Sequence, residues 1–362
     1  MEIFDLSTPN ILIDYDKLLR NIEEMANFAK KHNKKLRPMI KTHKSIEIAK
    51  IQKSFGISGI QCAKLSEAEI FADAGFDDIF ISSEIIDIEK LRRAKKLNKK
   101  IKKLILSVDS IEGIKRVAEV FQDEEVYLRV EIDSGHHRCG IKPQDILVLY
   151  KEIEKYQNLK FEGIFTHGGQ VYSSKNREDR ERLSYEEANE VLKAKRILEE
   201  NNIKCEVVSI GSTPSVFYSG KIDGITEIRP GNYVFYDFKQ VNLGVQDIER
   251  CALLILSQVI SKQENRAYID AGSKVFGLDF LEIDHQKIYG YILDSPKSKL
   301  FALSEEHGWI IISEDSKINI GDKIKIIPVH SCITMSNFDH FYMVKGSEVI
   351  GKYKVDARGK FE

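Results

Sequence analysis

The stretch RPMIKTHKS, residues 37–45, carries an apolar run onto Lys41, followed by Thr42, His43 and Lys44. A strand that only connects would end in Gly, Asn or Asp. One that ends on lysine presents an amine, which can attack a carbonyl carbon or carry a proton. IGSTPS, residues 210–215, sets Gly211 before Ser212, Thr213 and Pro214. Glycine lets backbone approach an anion, the hydroxyls donate to it, and proline suits the start of a short helix whose N-terminus favours negative charge. The same spelling also starts an ordinary capped helix. PVHSC ends in His330 and Cys332, at i and i+2. On a strand these two face the same side, as half of a zinc site with positions left for water or substrate. A histidine and a cysteine in a β core read the same way. EIDSGHHRCG (131–140) puts Asp133, Gly135, Arg138 and Gly140 at a strand exit, where Arg138 reaches a ligand or the histidines face solvent. LSEEHGW (303–309) is a Glu- and His-dense turn that either lines a cleft or is simply exposed.

Eight apolar, β-rich runs position these groups: 36–42, 59–63, 78–84, 103–109, 126–132, 161–167, 205–211 and 227–237. Amphipathic runs lie between most of them. DKLLRNIEEMANFAKKH places Leu18, Ile22, Met25 and Phe28 near one helical face. SEAEIFADAG has a cap-like Ser66, Glu69 three residues on, and Gly75 as its stop. Eight strands alternating with helices over ~250 residues predict a (β/α)8 TIM barrel, here residues 13–244. From residue 245 to 362 the runs are short and β-rich, without good helices between them, and predict an all-β C-terminal domain. The first dozen residues either reach back to that domain or lead into the barrel.

Barrel chemistry sits at the C-terminal strand ends, often with a phosphate site after strands seven and eight. Lys41 after the first strand and Gly211–Thr213 after the seventh would then share one mouth. An amine opposite a phosphate cradle suits pyridoxal phosphate (PLP) held as a Schiff base. Burial there would favour the neutral, nucleophilic amine. The competing reading is a plain surface lysine, of which the chain has many.

Composition narrows the class. Hydrophobic residues make up 42% of the chain and the net charge is −1, so no basic field points to nucleic acid or a membrane surface. The five cysteines, Cys62, Cys139, Cys205, Cys251 and Cys332, are odd in number and widely spaced, against a disulfide framework. No signal-peptide h-region and no membrane-length apolar run is present. A cytoplasmic globular protein is expected.

Taken together, TPNILIDYDKLLRNI, RPMIKTHKS, IDSGHHRCG, IGSTPS, EIRPGNYVFYD, SEEHG and PVHSC resemble, in order, the D-threonine aldolase/D-serine dehydratase family of fold-type III PLP enzymes, related to alanine racemase. The resemblance implies a PLP barrel, a C-terminal β domain and a homodimer acting on a small D-amino acid. It implies that Lys41 binds PLP and removes the Cα proton. Arg138 would lie near the cofactor ring. Gly211, Ser212 and Thr213 would hold the phosphate, with Asn232 or Tyr233 assisting. His330 and Cys332 would ligate a divalent metal, zinc, that makes a β-hydroxyl a better leaving group. The H-x-C pair resembles the dehydratase branch; the aldolase branch carries Asp at the second ligand position and a histidine just past strand six. Here His167 falls inside the strand end, followed by Gln170 and Tyr172. Both departures imply dehydration of D-serine or a related β-hydroxy D-amino acid. D-threonine aldolase, with His167 or Tyr172 as base, is the alternative. Racemisation is a third reading; it needs bases on both faces of Cα and no metal.

Overall fold

The computed structural model describes residues 1–362, which divide into two compact units. One holds Glu24–Lys41, Ala49–Gly231 and Lys360–Glu362; the other holds Met1–Glu23, Thr42–Ile48 and Asn232–Gly359.

In chain order the first strand, β1 (Asn10–Asp14), belongs to the β-rich unit. The next eight form the parallel sheet of the other: β2 (Lys35–Leu36), β3 (Ile60–Cys62), β4 (Asp78–Ile81), β5 (Lys103–Val108), β6 (Val126–Glu131), β7 (Leu159–Phe165), β8 (Val207–Ile210) and β9 (Glu227–Ile228). Their order is β2-β9-β8-β7-β6-β5-β4-β3, and a parallel bridge from Met39 to Gln61 joins the two ends. This is the expected barrel. A helix follows each strand from β2 to β8, among them Leu65–Asp73, Ile88–Asn98, Ile111–Val120 and Arg177–Glu200. Ser110 and Asn176 cap the last two, accepting from Gly113 N at 3.2 Å and Asp179 N at 2.8 Å. The helix Leu65–Asp73 departs from its sequence signature. Its cap is Lys64, and Glu67 rather than Glu69 reaches back, accepting from Ala63 N at 2.8 Å. Ser66 Oγ instead donates to Glu362 O at 3.0 Å.

The first and last barrel strands in the chain are shorter than their apolar runs. β2 stops before Arg37-Pro38 and β9 before Arg229-Pro230. Proline has no N–H for a ladder, so the chain leaves both strands early. Lys41 therefore lies on a 3-10 turn, Ile40–Thr42, past the strand. β7 likewise ends at Phe165, so His167 lies beyond the strand instead of inside it.

The barrel interior is not purely apolar. Phe80, Ile105 and Phe165 pack at its centre. Beside them Arg129, 1% exposed, binds Glu162 Oε2 at 2.7 Å and Glu227 Oε1 at 2.5 Å. Arg37 adds Glu227 Oε2 at 2.9 Å and Asp78 Oδ1 at 2.6 Å. Burial opposes ionisation of Glu227, but Arg129 and Arg37 outweigh it and hold the carboxyl well below the usual range. A depressed carboxylate stabilises the fold above its unfolded pKa of ~4.3 and loses that contribution as pH falls. Glu227→Gln leaves two buried guanidinium groups short of a partner, at a cost of about 3–5 kcal/mol at pH 7. Urea midpoints measured from pH 7 to pH 3 should start lower and fall less steeply for E227Q than for wild type. Equal midpoints and equal slopes would refute the role.

The second unit is built on a nine-stranded sheet. Its strands are β10 (Leu253–Gln263), β11 (Arg266–Ile269), β14 (Gly290–Ile292), β15 (Lys299–Leu303), β16 (Gly308–Ile311), β17 (Lys323–Pro328), β18 (His340–Lys345) and β19 (Glu348–Lys354), with β1 between β10 and β18. A hairpin of β12 (Leu281–Ile283) and β13 (Gln286–Ile288) stands apart. Pairing of β10 with β11 closes six strands into a ring. β1 runs antiparallel to β10, with Ile11 opposite Ile255, and Ile11, Leu12 and Ile13 are fully buried. The first residues thus reach back to the β unit. So does the segment from Asn232, because Asn232 and Asp237 bond to Ser331 within it.

Candidate active site

All the barrel's polar candidates follow the C-terminal ends of its parallel strands, so the topology gathers them at one mouth. Lys41 follows β2 and its side chain is exposed, not buried as expected. Lys44, three residues on, is 4% exposed and its Nζ reaches Ala357 O at 3.4 Å. Of the two lysines in RPMIKTHKS, only Lys41 offers an accessible amine.

His167 follows β7. Its Nδ1 lies 2.9 Å from Gly211 O, so Nδ1–H donates and Nε2 keeps a lone pair. Burial, then the charges of Lys41 and Arg138, pull the imidazole down to about 3. It is therefore a neutral acceptor across the working pH range. Tyr172 lies on the 3-10 turn Gly169–Ser173, half-buried.

Gly211, Ser212 and Thr213 follow β8. The hydroxyl residues Ser212, Thr213 and Ser215 are all buried. A Cβ on Gly211 would meet the Arg229 backbone at 2.9 Å, so only glycine fits. The helix behind, Val216–Ser219, is a single turn, so hydroxyls and close backbone approach make this cradle rather than a helix dipole. Glu187, from the long helix Arg177–Glu200, braces it: Oε1 accepts from Gly211 N at 3.2 Å and Gly168 N at 3.1 Å. A Cβ on Gly168 would meet that carboxylate at 2.5 Å, and one on Gly169 the His136 ring at 2.5 Å, which explains the Gly-Gly after His167.

Arg138 is half exposed in the loop after β6, its Nη2 3.5 Å from Glu131 Oε1. Asp133 shapes this loop, accepting from Gly135 N at 2.9 Å and His137 N at 3.0 Å. Gly140, at φ +96°, has no room for a side chain against the Asp133 backbone. The sequence reading passed over a second arginine, Arg229, which is 4% exposed. Arg229 donates to Ser209 Oγ at 2.7 Å, Gln61 Oε1 at 2.9 Å and Thr166 O, over the Phe165 ring. Its charge between apolar neighbours in EIRPG was the available signal.

The His330–Cys332 pair lies in the β unit, but not on a strand. β17 ends at Pro328; His330 caps the short helix Ser331–Ser336 and Cys332 lies in its first turn. The two still meet. His330 Nδ1 lies 2.5 Å from Asp279 Oδ2, which leaves Nε2 as the ligating atom. Burial opposes charge on both partners, but each stabilises the other: His330 is held up to about 10 and the Cys332 thiol is lowered. A cysteine whose thiolate form is favoured by its histidine neighbour, beside an imidazole oriented by Asp279, is a donor set that fits a divalent metal once both give up their protons. Thr42, the residue bonded to Lys41, has its hydroxyl 3.4 Å from Cys332 Sγ. Asn232 belongs here too. Its Nδ2 donates to Asp237 Oδ2 at 2.7 Å and Ser331 Oγ at 2.9 Å, with Cys332 Sγ at 3.8 Å, so neither amide hydrogen is left for a phosphate. Tyr233, expected to assist the same phosphate, is fully buried beside it in the chain. The 304–307 turn is exposed.

Residues 13–237 match the family described as alanine racemase, N-terminal domain, and residues 252–344 a putative serine dehydratase domain. The D-threo-3-hydroxyaspartate dehydratase of Delftia sp. (strain HT23) is 31% identical over 93% of each chain. The chain belongs to the D-threonine aldolase/D-serine dehydratase family of fold-type III PLP enzymes. It is a PLP-dependent lyase. Within this family, D-serine dehydratase of Dictyostelium discoideum is 30% identical, over 98% of this chain and 97% of its own. A crystal structure of D-threonine aldolase from Filomicrobium marinum superposes with a TM-score of 0.93 at 28% identity, covering 100% of this chain and 98% of that one. Two alanine variants of D-threo-3-hydroxyaspartate dehydratase, each 29% identical over 98% of this chain, have TM-scores of 0.92 and 0.91 over 96% and 98% of theirs. One replaces a histidine and the other, in the metal-free form, a cysteine two positions on, the spacing of His330 and Cys332. The buried hydroxyl cradle and the exposed lysine fit a phosphate-bearing aldehyde such as PLP. No helix is long and apolar enough to cross a membrane.

Proposed function

We propose that the protein is a metal-dependent dehydratase of D-serine or a related β-hydroxy D-amino acid, releasing an oxo acid and ammonia. The observation that carries this reading is the Asp279–His330–Cys332 arrangement, with the Thr42 hydroxyl 3.4 Å from the Cys332 sulfur. Lys41 binds the cofactor, and Ser212 and Thr213 hold its phosphate. PLP, when bound, withdraws electrons from the bonds at the substrate Cα. Lys41 Nζ moves the Cα proton. His330 Nε2 and Cys332 Sγ would hold a divalent cation, zinc in this proposal, which would supply Lewis acidity for departure of the β-hydroxyl. Asp279 fixes the His330 ring through Nδ1 and leaves Nε2 as the atom that would ligate.

A second reading, retro-aldol cleavage, draws support from the neutral His167, whose Nε2 could take a hydroxyl proton, and from the close likeness to D-threonine aldolase. Homodimer formation belongs to the proposal as well; exposed Leu278 and Phe280 flank Asp279 and would be covered by it. Products decide the chemistry. Pyruvate and ammonia from D-serine, dependent on divalent metal, are expected. Glycine and formaldehyde would assign the aldolase instead.

A further inference from the structure

From Ser184 onward the long helix Arg177–Glu200 buries Ser184, Glu187, Ala188, Val191, Ala194 and Leu198. All but Glu187 are small or apolar. Glu187 is fully buried. A carboxyl at a core-facing position is costly unless it is hydrogen-bonded. Here the partners are the backbones of two loops at the barrel mouth.

Glu187 Oε1 accepts from Gly168 N at 3.1 Å, after β7, and from Gly211 N at 3.2 Å, after β8. Gly211 O in turn accepts from His167 Nδ1 at 2.9 Å. His167 and Gly168 are neighbours in the chain, so three hydrogen bonds close a ring that runs from Glu187 through Gly211, His167 and Gly168 and back. The Gly211–Ser212 peptide joins this ring through its carbonyl. It is trans, so the Ser212 N–H points away from the imidazole. One carboxyl thus anchors both the acceptor that fixes the His167 tautomer and the first peptide of the hydroxyl cradle. Burial pushes the Glu187 carboxyl up, against the Ser215 hydroxyl, the two glycine N–H groups and the Arg229 charge. A carboxyl held toward its neutral form adds little repulsion to a phosphate nearby.

We propose that Glu187 is a positioning residue that couples phosphate binding to the orientation of His167; this rests on the reading of Gly211–Thr213 as the phosphate cradle. Whatever holds the Gly211–Ser212 peptide in place also holds the acceptor of His167 in place, and the reverse follows by linkage.

Titration of PLP and of pyridoxal, which lacks the phosphate, into the apoprotein tests this, with Schiff-base absorbance as the readout. Glu187→Met keeps the side-chain length and removes the acceptor. Wild type should prefer PLP; equal affinity for the two would sink the cradle reading and this proposal with it. Two buried N–H groups lose their acceptor in Glu187→Met, so PLP affinity should fall at least ~10-fold while pyridoxal affinity changes less than ~2-fold. Nitrogen NMR of the His167 ring should show Nδ1–H in wild type and mixed tautomers in Glu187→Met. Glu187→Gln keeps an oxygen for both N–H groups and should restore both readouts. The proposal is overturned when either readout stays at wild type in Glu187→Met while wild type prefers PLP, or when Glu187→Gln behaves like Glu187→Met. Should Glu187→Met not fold, amide hydrogen exchange in the wild-type protein replaces it. Exchange at Gly168 and Gly211 should slow together when PLP replaces pyridoxal; slowing at Gly211 alone, or at neither, overturns the coupling.

Discussion

Lys41→Ala abolishes turnover, by at least ~10³-fold, and leaves the barrel folded. The expectation follows from two roles meeting in one amine. Lys41 both binds PLP and moves the Cα proton, and proton transfer by a positioned side chain alone contributes about 10²–10⁴-fold. The side chain is exposed, so its removal empties no core. The visible absorbance of lysine-bound PLP should vanish while the thermal midpoint stays close to wild type. Lys44→Ala is the control. Lys44 is buried against Ala357 O, so its loss should cost about 1–3 kcal/mol of stability and keep the absorbance. An active, coloured Lys41→Ala variant would remove the lysine from the chemistry.

The second large effect is at the proposed metal. His330→Ala and Cys332→Ala should each lose bound divalent metal and slow β-hydroxyl loss by about 10²-fold or more, since Lewis-acid stabilisation is worth several kcal/mol. PLP absorbance should persist in both, because Lys41 and the Ser212–Thr213 cradle are untouched. Metal content and initial rates of keto-acid formation check this. Full activity in either metal-depleted variant would mean that the hydroxyl leaves without metal help.

Much of the scaffold was legible in the residues. Apolar runs between amphipathic ones fixed eight barrel strands, and Gly211 with its hydroxyl neighbours marked the cradle. The errors have physical causes. Pro38 and Pro230 cut two strands short, which moved Lys41 onto a turn. The i, i+2 argument for His330 and Cys332 assumed a strand, but their meeting comes from a helix start. Glu187 and Arg229 were missed because each interacts across distant strands and helices. Asn232 was read with its neighbours in EIRPGNY, yet its hydrogen bonds run to Ser331, 99 residues away. Local periodicity cannot report such pairings.

The most direct test of the central claim is the product analysis of D-threonine turnover by the PLP- and zinc-loaded protein. The His330–Cys332 reading predicts 2-oxobutyrate and ammonia in equal amounts. Acetaldehyde and glycine would contradict it, and would make His167 the base of a retro-aldol reaction.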